Sequence, residues 1–242
     1  MLLFSSFSNQ GNREVNEDSV GCFSNGNSYC FVVCDGLGGH GMGDIASQIV
    51  VSVFKDLFGK VGCTDFFLPE AFTASQEILL TEQIAQNARH KMKTTAVALC
   101  IDSRRAFFGH IGDSRLYVFR NNRILLRTKD HSIPQMLVLS HQLTEQEIRN
   151  HPDRNIVLRV MGVDWEKPMY ELSKPLPLRK CQAFLLCTDG FWELILEEEM
   201  CSLLQASSSP EDWLQKMTEQ VRKRGADRQM DNFSAIAIWN KQ

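Results

Sequence analysis

Three times along this chain a run of apolar, β-branched and aromatic residues stops at an aspartate beside a glycine. The runs are CFVVCDG at Asp35-Gly36, FFGHIGD at Gly112-Asp113 and AFLLCTDG at Asp189-Gly190. A fourth aspartate, Asp231, opens the run DNFSAIAIW. Such runs read as strands. A carboxylate at the end of a buried strand is costly to desolvate unless something positive neutralises it. Taken singly, an Asp-Gly pair is foremost a turn dipeptide. Four acids at four strand boundaries point further, to negative charges gathered around divalent cations, and oxygen donors select hard ions such as Mg2+ or Mn2+. A neighbouring glycine lets the backbone turn sharply and brings its carbonyl close.

The strand-like runs cover 2–7, 29–34, 94–101, 106–111, 115–120, 124–127, 181–187 and 232–239, and Asn121-Asn122 predicts a tight hairpin turn between two of them. Helical periodicity covers 44–58, 69 to about 89, and 210–224, the last preceded by Ser209 as N-cap. Pro69 is acceptable in a first turn. Consecutive strands followed by helix pairs predict an α+β fold with antiparallel sheets, not a doubly wound parallel sheet. No repeat, low-complexity block or linker divides the 242 residues, so one domain is expected. Residues 128–162 carry short helical pieces, prolines and histidines, and a long excursion of that kind reads as a surface flap or lid.

Composition excludes several classes of function. The net charge of −3 and the lack of a basic run give no electrostatic support for binding nucleic acid or an anionic membrane. The eight cysteines form no C-x-x-C pair, and several sit inside apolar runs, as free thiols of a reducing compartment do. None has an arginine six residues later, so a C-x5-R phosphatase loop is excluded. The opening MLLFSSFSNQ lacks the pattern of a signal peptide, and no apolar stretch reaches the roughly 18 residues that span a bilayer. A soluble cytoplasmic protein is expected.

One charged loop stands apart. QGNREVNEDS places Arg13, Glu17 and Asp18 between two strands. Such a loop is ordinarily solvated surface, yet an arginine near acidic metal ligands is also the usual clamp for a phosphate.

In order, the motifs QGNREVNED, VVCDGLGGHGMGDIAS, KTTAVAL, GHIGDSRLY, KDHS, HPDRNIVLRVMG, LLCTDGFWE and DNFSAIAI resemble the metal-dependent protein serine/threonine phosphatases, the protein phosphatase 2C family. The resemblance spans nearly the whole chain, and the HPDRN-type flap is similar to the bacterial branch. It implies a four-layer α-β-β-α sandwich, with central antiparallel sheets, flanking helix pairs and a flap at about 128–162. It implies metal-dependent hydrolysis of phosphoserine and phosphothreonine in proteins by a metal-bridged water or hydroxide.

By motif position, Asp35 is then the bridge between two Mn2+ or Mg2+ ions. Asp189 and Asp231 complete one site, the Gly36 carbonyl serves the other, and Asp113 shares a third, weaker ion with Asp189. Glu17 and Asp18 orient waters, Asn232 follows Asp231 as the family pattern expects, and Arg13 grips the substrate phosphate. His131 and His151 are expected to hydrogen-bond within the flap segment, and Arg154, Asn155 and Arg159 to brace it.

The chain departs from many eukaryotic relatives at Leu37, where they carry a histidine proposed as general acid; His40 lies three residues on. Implied partners are phosphorylated proteins, a Hanks-type serine/threonine kinase and its substrates, with the chain itself a monomer. A phosphoprotein-binding pseudophosphatase and a hydrolase of small phosphoesters stand as alternatives.

Overall fold

The most apolar runs become strands buried on both faces. In the computed structural model, which describes residues 2–37, 41–89 and 91–241, strand β3 (Ser28–Asp35) turns Cys30, Val32 and Cys34 one way and Phe31 and Val33 the other. Neighbouring side chains on a strand point to opposite faces, so CFVVC needs cover on both sides. β4 (Ala96–Ile101) and β10 (Ala183–Cys187) divide their side chains in the same way.

Two antiparallel sheets result. One runs β1 (Leu2–Asn9), β11 (Phe233–Asn240), β10, β6 (Arg115–Arg120), β7 (Arg123–Arg127). The other runs β2 (Asp18–Asn25), β3, β4, β5 (Arg105–Ile111), β8 (Glu171–Leu172), with β9 (Leu176–Pro177) also on β5.

Phe31, Val97, Leu116, Phe184 and Ile236 fill the space between the sheets. Outside the second sheet, α1 (Gly43–Val61) and α2 (Phe67–Ala85) bury Val50, Phe54 and Phe72 against Cys30 and Ala98. Outside the first, α4 (Asp189–Trp192), α5 (Glu197–Gln205) and α6 (Pro210–Gly225) bury Trp192, Met200 and Trp213 against Phe119 and Leu185. Three buried layers between four layers of backbone make the α-β-β-α sandwich.

The three predicted helices are α1, α2 and α6, and Ser209 Oγ accepts from Asp212 N at 3.1 Å as the N-cap of α6. Asn121 and Asn122 take φ of 52° and 56°, the left-handed pair a tight hairpin needs. Sequence reading missed β2 and α5. β2, DSVGCFSN, is half polar with a glycine inside, a pattern that reads as loop. α5 begins with Glu197, Glu198 and Glu199, which suit the positive end of a helix dipole but leave little apolar stripe.

Residues 128–162 leave the β6–β7 hairpin, form α3 (Ile133–Leu139) behind the N-cap Ser132, and return over the sandwich. The return is pinned by Leu158 N to His131 O at 2.7 Å and Met161 N to Thr94 O at 2.9 Å. Among the described residues, no helix is long and apolar enough to cross a membrane.

Candidate metal centre

Strand register carries the acids to one end of the sandwich. Asp18 and Asp35 are direct partners across β2 and β3. β10 runs antiparallel to both β6 and β11, with Cys187 opposite Arg115 and Ala235. The residues just beyond those positions, Asp113, Asp189 and Asp231, therefore share that end. There a cavity of about 270 Å³ is lined by Asp35, Gly36, Asp113, Asp189 and Asp231, with Arg13 and Glu17 on its wall and Asn155 and Val157 from the flap. Every residue singled out from sequence as a metal ligand lines this one space.

Gly36 has no room for a side chain, since a Cβ there would lie 2.3 Å from Gly43 O and 2.6 Å from Glu17 O. Its N–H donates to Glu17 O at 3.1 Å, so the loop before β2 and the start of α1 meet on the glycine. Asn232, almost fully buried, holds the same loop: its Oδ1 accepts from Glu17 N at 2.8 Å, and its Nδ2 donates to Gln10 O at 2.9 Å and Val15 O at 3.0 Å. That loop carries Arg13, whose Nη2 lies 2.7 Å from Asp231 Oδ2. Asp18, expected in the loop, is the first residue of β2.

The electrostatics are those of an acidic cluster short of positive charge. Burial first, then Asp189, Asp18 and Asp113, pushes the Asp35 carboxyl well above the ordinary range. Burial with Asp189 does the same to Asp113, and burial with Asp231 raises Asp189. Asp18 is pushed up to about 7, chiefly by burial. The Arg13 guanidinium is raised by its hydrogen bond to Asp231.

Asp18 Oδ2 accepts from Thr188 Oγ1 at 3.0 Å, but Oδ1 is buried with no hydrogen-bond partner among the described residues. A buried orphan carboxylate oxygen needs a donor, and a cation's hydration shell provides one. The donor set is all oxygen. Hard divalent ions fit it.

The second layer of structure was harder to foresee. Arg115, in the GDSR motif, makes a buried fork with Asp130 (Nε–Oδ1 2.8 Å, Nη2–Oδ2 2.6 Å) and stacks 3.3 Å from the Trp192 ring centre. Trp192 Nε1 donates to Asp113 O at 3.0 Å. The signal was present as a charged residue inside GDSRLY and another in KDHS, but nothing in the spacing says that they pair.

Arg154 and Arg159 brace the flap as expected, through Glu193 at 3.2 Å and Glu171 at 3.4 Å. Asn155 faces the cavity instead. His151 Nδ1 accepts from Asp153 N at 3.1 Å, a bond inside the segment. His131 does so through its backbone, its O accepting from Leu158 N at 2.7 Å, while its ring reaches outside the flap, Nδ1 accepting from Gly112 N at 3.1 Å.

His110, His131 and Glu171 bring three ligand atoms within 4.8 Å of one another. Because an N–H occupies Nδ1 of His131, the proton of the neutral ring sits on Nε2, facing Glu171 Oε1 at 3.2 Å. A metal there would have to displace that proton and set two N–H groups against each other. The two rings are instead stacked, with His110 Nε2 bonded to Lys129 O and Glu171 beside His131 as a close charged neighbour. Cys34 and Cys187, beside the acids in sequence, are wholly buried with thiols pushed far up, so neither is a nucleophile. Leu37 lines the cavity and has no proton to give; His40 lies outside the described residues.

Comparison with known proteins agrees with this arrangement. The profile of the family described as protein phosphatase 2C matches residues 8–233. The serine/threonine phosphatase stp of Listeria welshimeri is 27% identical over 234 residues, 93% of this chain and 90% of that protein. The crystal structure of the serine/threonine phosphatase Stp1 from Staphylococcus aureus superposes with a TM-score of 0.90 at 29% identity, covering 100% of this chain and 96% of the other. The catalytic domain of the serine/threonine protein phosphatase PstP, solved with two manganese ions, shares the fold at a TM-score of 0.82 and 24% identity, covering 98% and 97%.

Proposed function

The chain belongs to the protein phosphatase 2C family, and we propose that its acidic cavity is the place where phosphoserine and phosphothreonine of other proteins are hydrolysed. It is a protein serine/threonine phosphatase by kinship with relatives of that name along nearly their whole length. The observation that carries the assignment of the site is the meeting of Asp35, Gly36, Asp113, Asp189, Asp231 and Arg13 around one cavity.

Asp35, Asp189 and Asp231 with the Gly36 carbonyl would hold two manganese or magnesium ions, and Asp113 with Asp189 a third, weaker one. Bound there, such ions supply positive charge that acidifies water near neutral pH and offsets the charge of phosphoryl oxygens. The chain's own residues do the rest. Arg13, half released to solvent, offers a planar fork that matches two phosphate oxygens, exchanging Asp231 for substrate. The free oxygen of Asp18 and the carboxylate of Glu17 accept hydrogen bonds from water and so orient it for attack in line with the leaving oxygen. Asn232 fixes the loop on which Arg13 and Glu17 sit. Leu37 cannot protonate the leaving alkoxide, so that proton comes from water on the Asp113 side.

The reaction needs no protein nucleophile, in keeping with the buried thiols. A binding-only protein has no use for three intact acids, and their full complement favours turnover. We further read residues 1–242 as one catalytic domain with the flap at 128–162, acting as a monomer in the cytoplasm on phosphoproteins made by a Hanks-type kinase.

The test is hydrolysis of a phosphothreonine peptide and of ATP with Mn2+ or with chelator, wild type beside Asp35→Asn. Release of phosphate from the peptide alone, dependent on Mn2+ and on Asp35, is expected. Equal hydrolysis in chelator, or of ATP only, would refute it.

A further inference from the structure

We propose that His131 is a positioning residue that clamps the peptide of Gly112, aims Asp113 into the cavity and joins it to the flap; this rests on the role given to Asp113 above. Gly112 turns with φ +103°, in the left-handed region, and a Cβ there would lie 2.5 Å from the Thr95 side chain. The turn is thus open only to glycine, the residue with most freedom to leave it. Something outside the turn must hold it. His131 does so from two sides: its backbone N donates to Gly112 O at 2.9 Å, and its Nδ1 accepts from Gly112 N at 3.1 Å.

The ring is itself fixed. It stacks on His110 with centroids 4.7 Å apart at 14°, and His110 Nε2 donates to Lys129 O at 2.8 Å, just upstream. On its other side His131 O accepts from Leu158 N at 2.7 Å, and Ile133 N donates to Ile156 O at 3.1 Å. The segment so held contains Val157, which bridges to Ser132, and Asn155 shortly before it, and both line the cavity. One residue therefore connects the floor of the site to its flap.

The clamp needs an acceptor at the place of Nδ1, not an imidazole as such. In His131→Asn the Oδ1 takes that place; in His131→Leu a similar volume is filled and the Gly112 N–H is left buried and unpaired. Both are made in the full chain. Exchange of the Gly112 amide is followed by NMR in chelator, and phosphothreonine-peptide turnover is followed against Mn2+ concentration. His131→Leu is expected to speed Gly112 exchange about tenfold and to raise the Mn2+ needed for half-maximal turnover about tenfold. KM for the peptide stays within roughly twofold, because phosphate capture is assigned to Arg13.

His131→Asn is expected to restore both readouts. In an Asp113→Ala background His131→Leu adds no further Mn2+ requirement, as two residues in one unit do. Unchanged Gly112 exchange in His131→Leu overturns the proposal, and so does a full multiplication of the two losses. Should His131→Leu not fold, the same contrast is read between His131→Asn and His131→Gln, whose acceptor sits one bond further out. A wild type inert towards phosphopeptide would sink the proposed function, while Gly112 exchange would still decide the clamp.

Discussion

Asp18 and Asp35 face each other across β2 and β3, an arrangement that costs stability when both are charged and that only a cation or a proton relieves. Replacing Asp35 by asparagine removes charge from the centre of the cluster without changing its volume. Turnover of a phosphothreonine peptide is expected to fall by about three orders of magnitude or more, measured as kcat at saturating Mn2+. Arg13→Ala acts differently: it removes substrate binding, so KM is expected to rise about tenfold with a smaller change in kcat. The acids were legible because each stands where an apolar run breaks off beside a glycine. The pairing of Arg13 with Asp231 was not, since it depends on how Asn232 folds a loop 215 or more residues away in sequence.

Between elements, the decisive contacts lie where the β5–β6 turn meets the start of the flap. Arg115 and Asp130 have side chains only 1% exposed. Asp130→Asn leaves a buried guanidinium without its counter-charge, and a loss of about 3 kcal/mol is expected in urea unfolding. An unchanged midpoint would mean that Trp192 and Glu197, 3.7 Å from Arg115 Nη1, suffice to hold it. Strands and the three long helices were readable from period and from caps such as Ser209. β2 escaped because its polar residues and Gly21 weaken the apolar run, although Asn25-Gly26, with φ +60° at the glycine, marks its hairpin to β3. Short β8 and β9 exist only because β5 offers an edge, a tertiary effect that local pattern does not carry.

For the molecule as a whole, the acidic end is a store of instability that cations relieve. Asp18 is raised from 3.8 to about 7, so the folded chain keeps a proton that the unfolded chain gives up. Its contribution is complete below the ordinary aspartate range and is lost as pH rises through about 7. In chelator, wild type is expected to melt closer to Asp18→Asn near pH 5 than near pH 8. By pH 8 wild type is expected to fall behind by about 5 °C, as followed by thermal unfolding. A constant gap across that range would remove Asp18 from the account.

Every role given to the cavity requires the strand-end acids to take up hard cations. Crystals grown with Mn2+ and measured at the manganese absorption edge test it directly. Anomalous peaks bounded by Asp35, Asp189 and Asp231 are the expected result. Manganese seated only at His110, His131 and Glu171, with none beside Asp35, would contradict it.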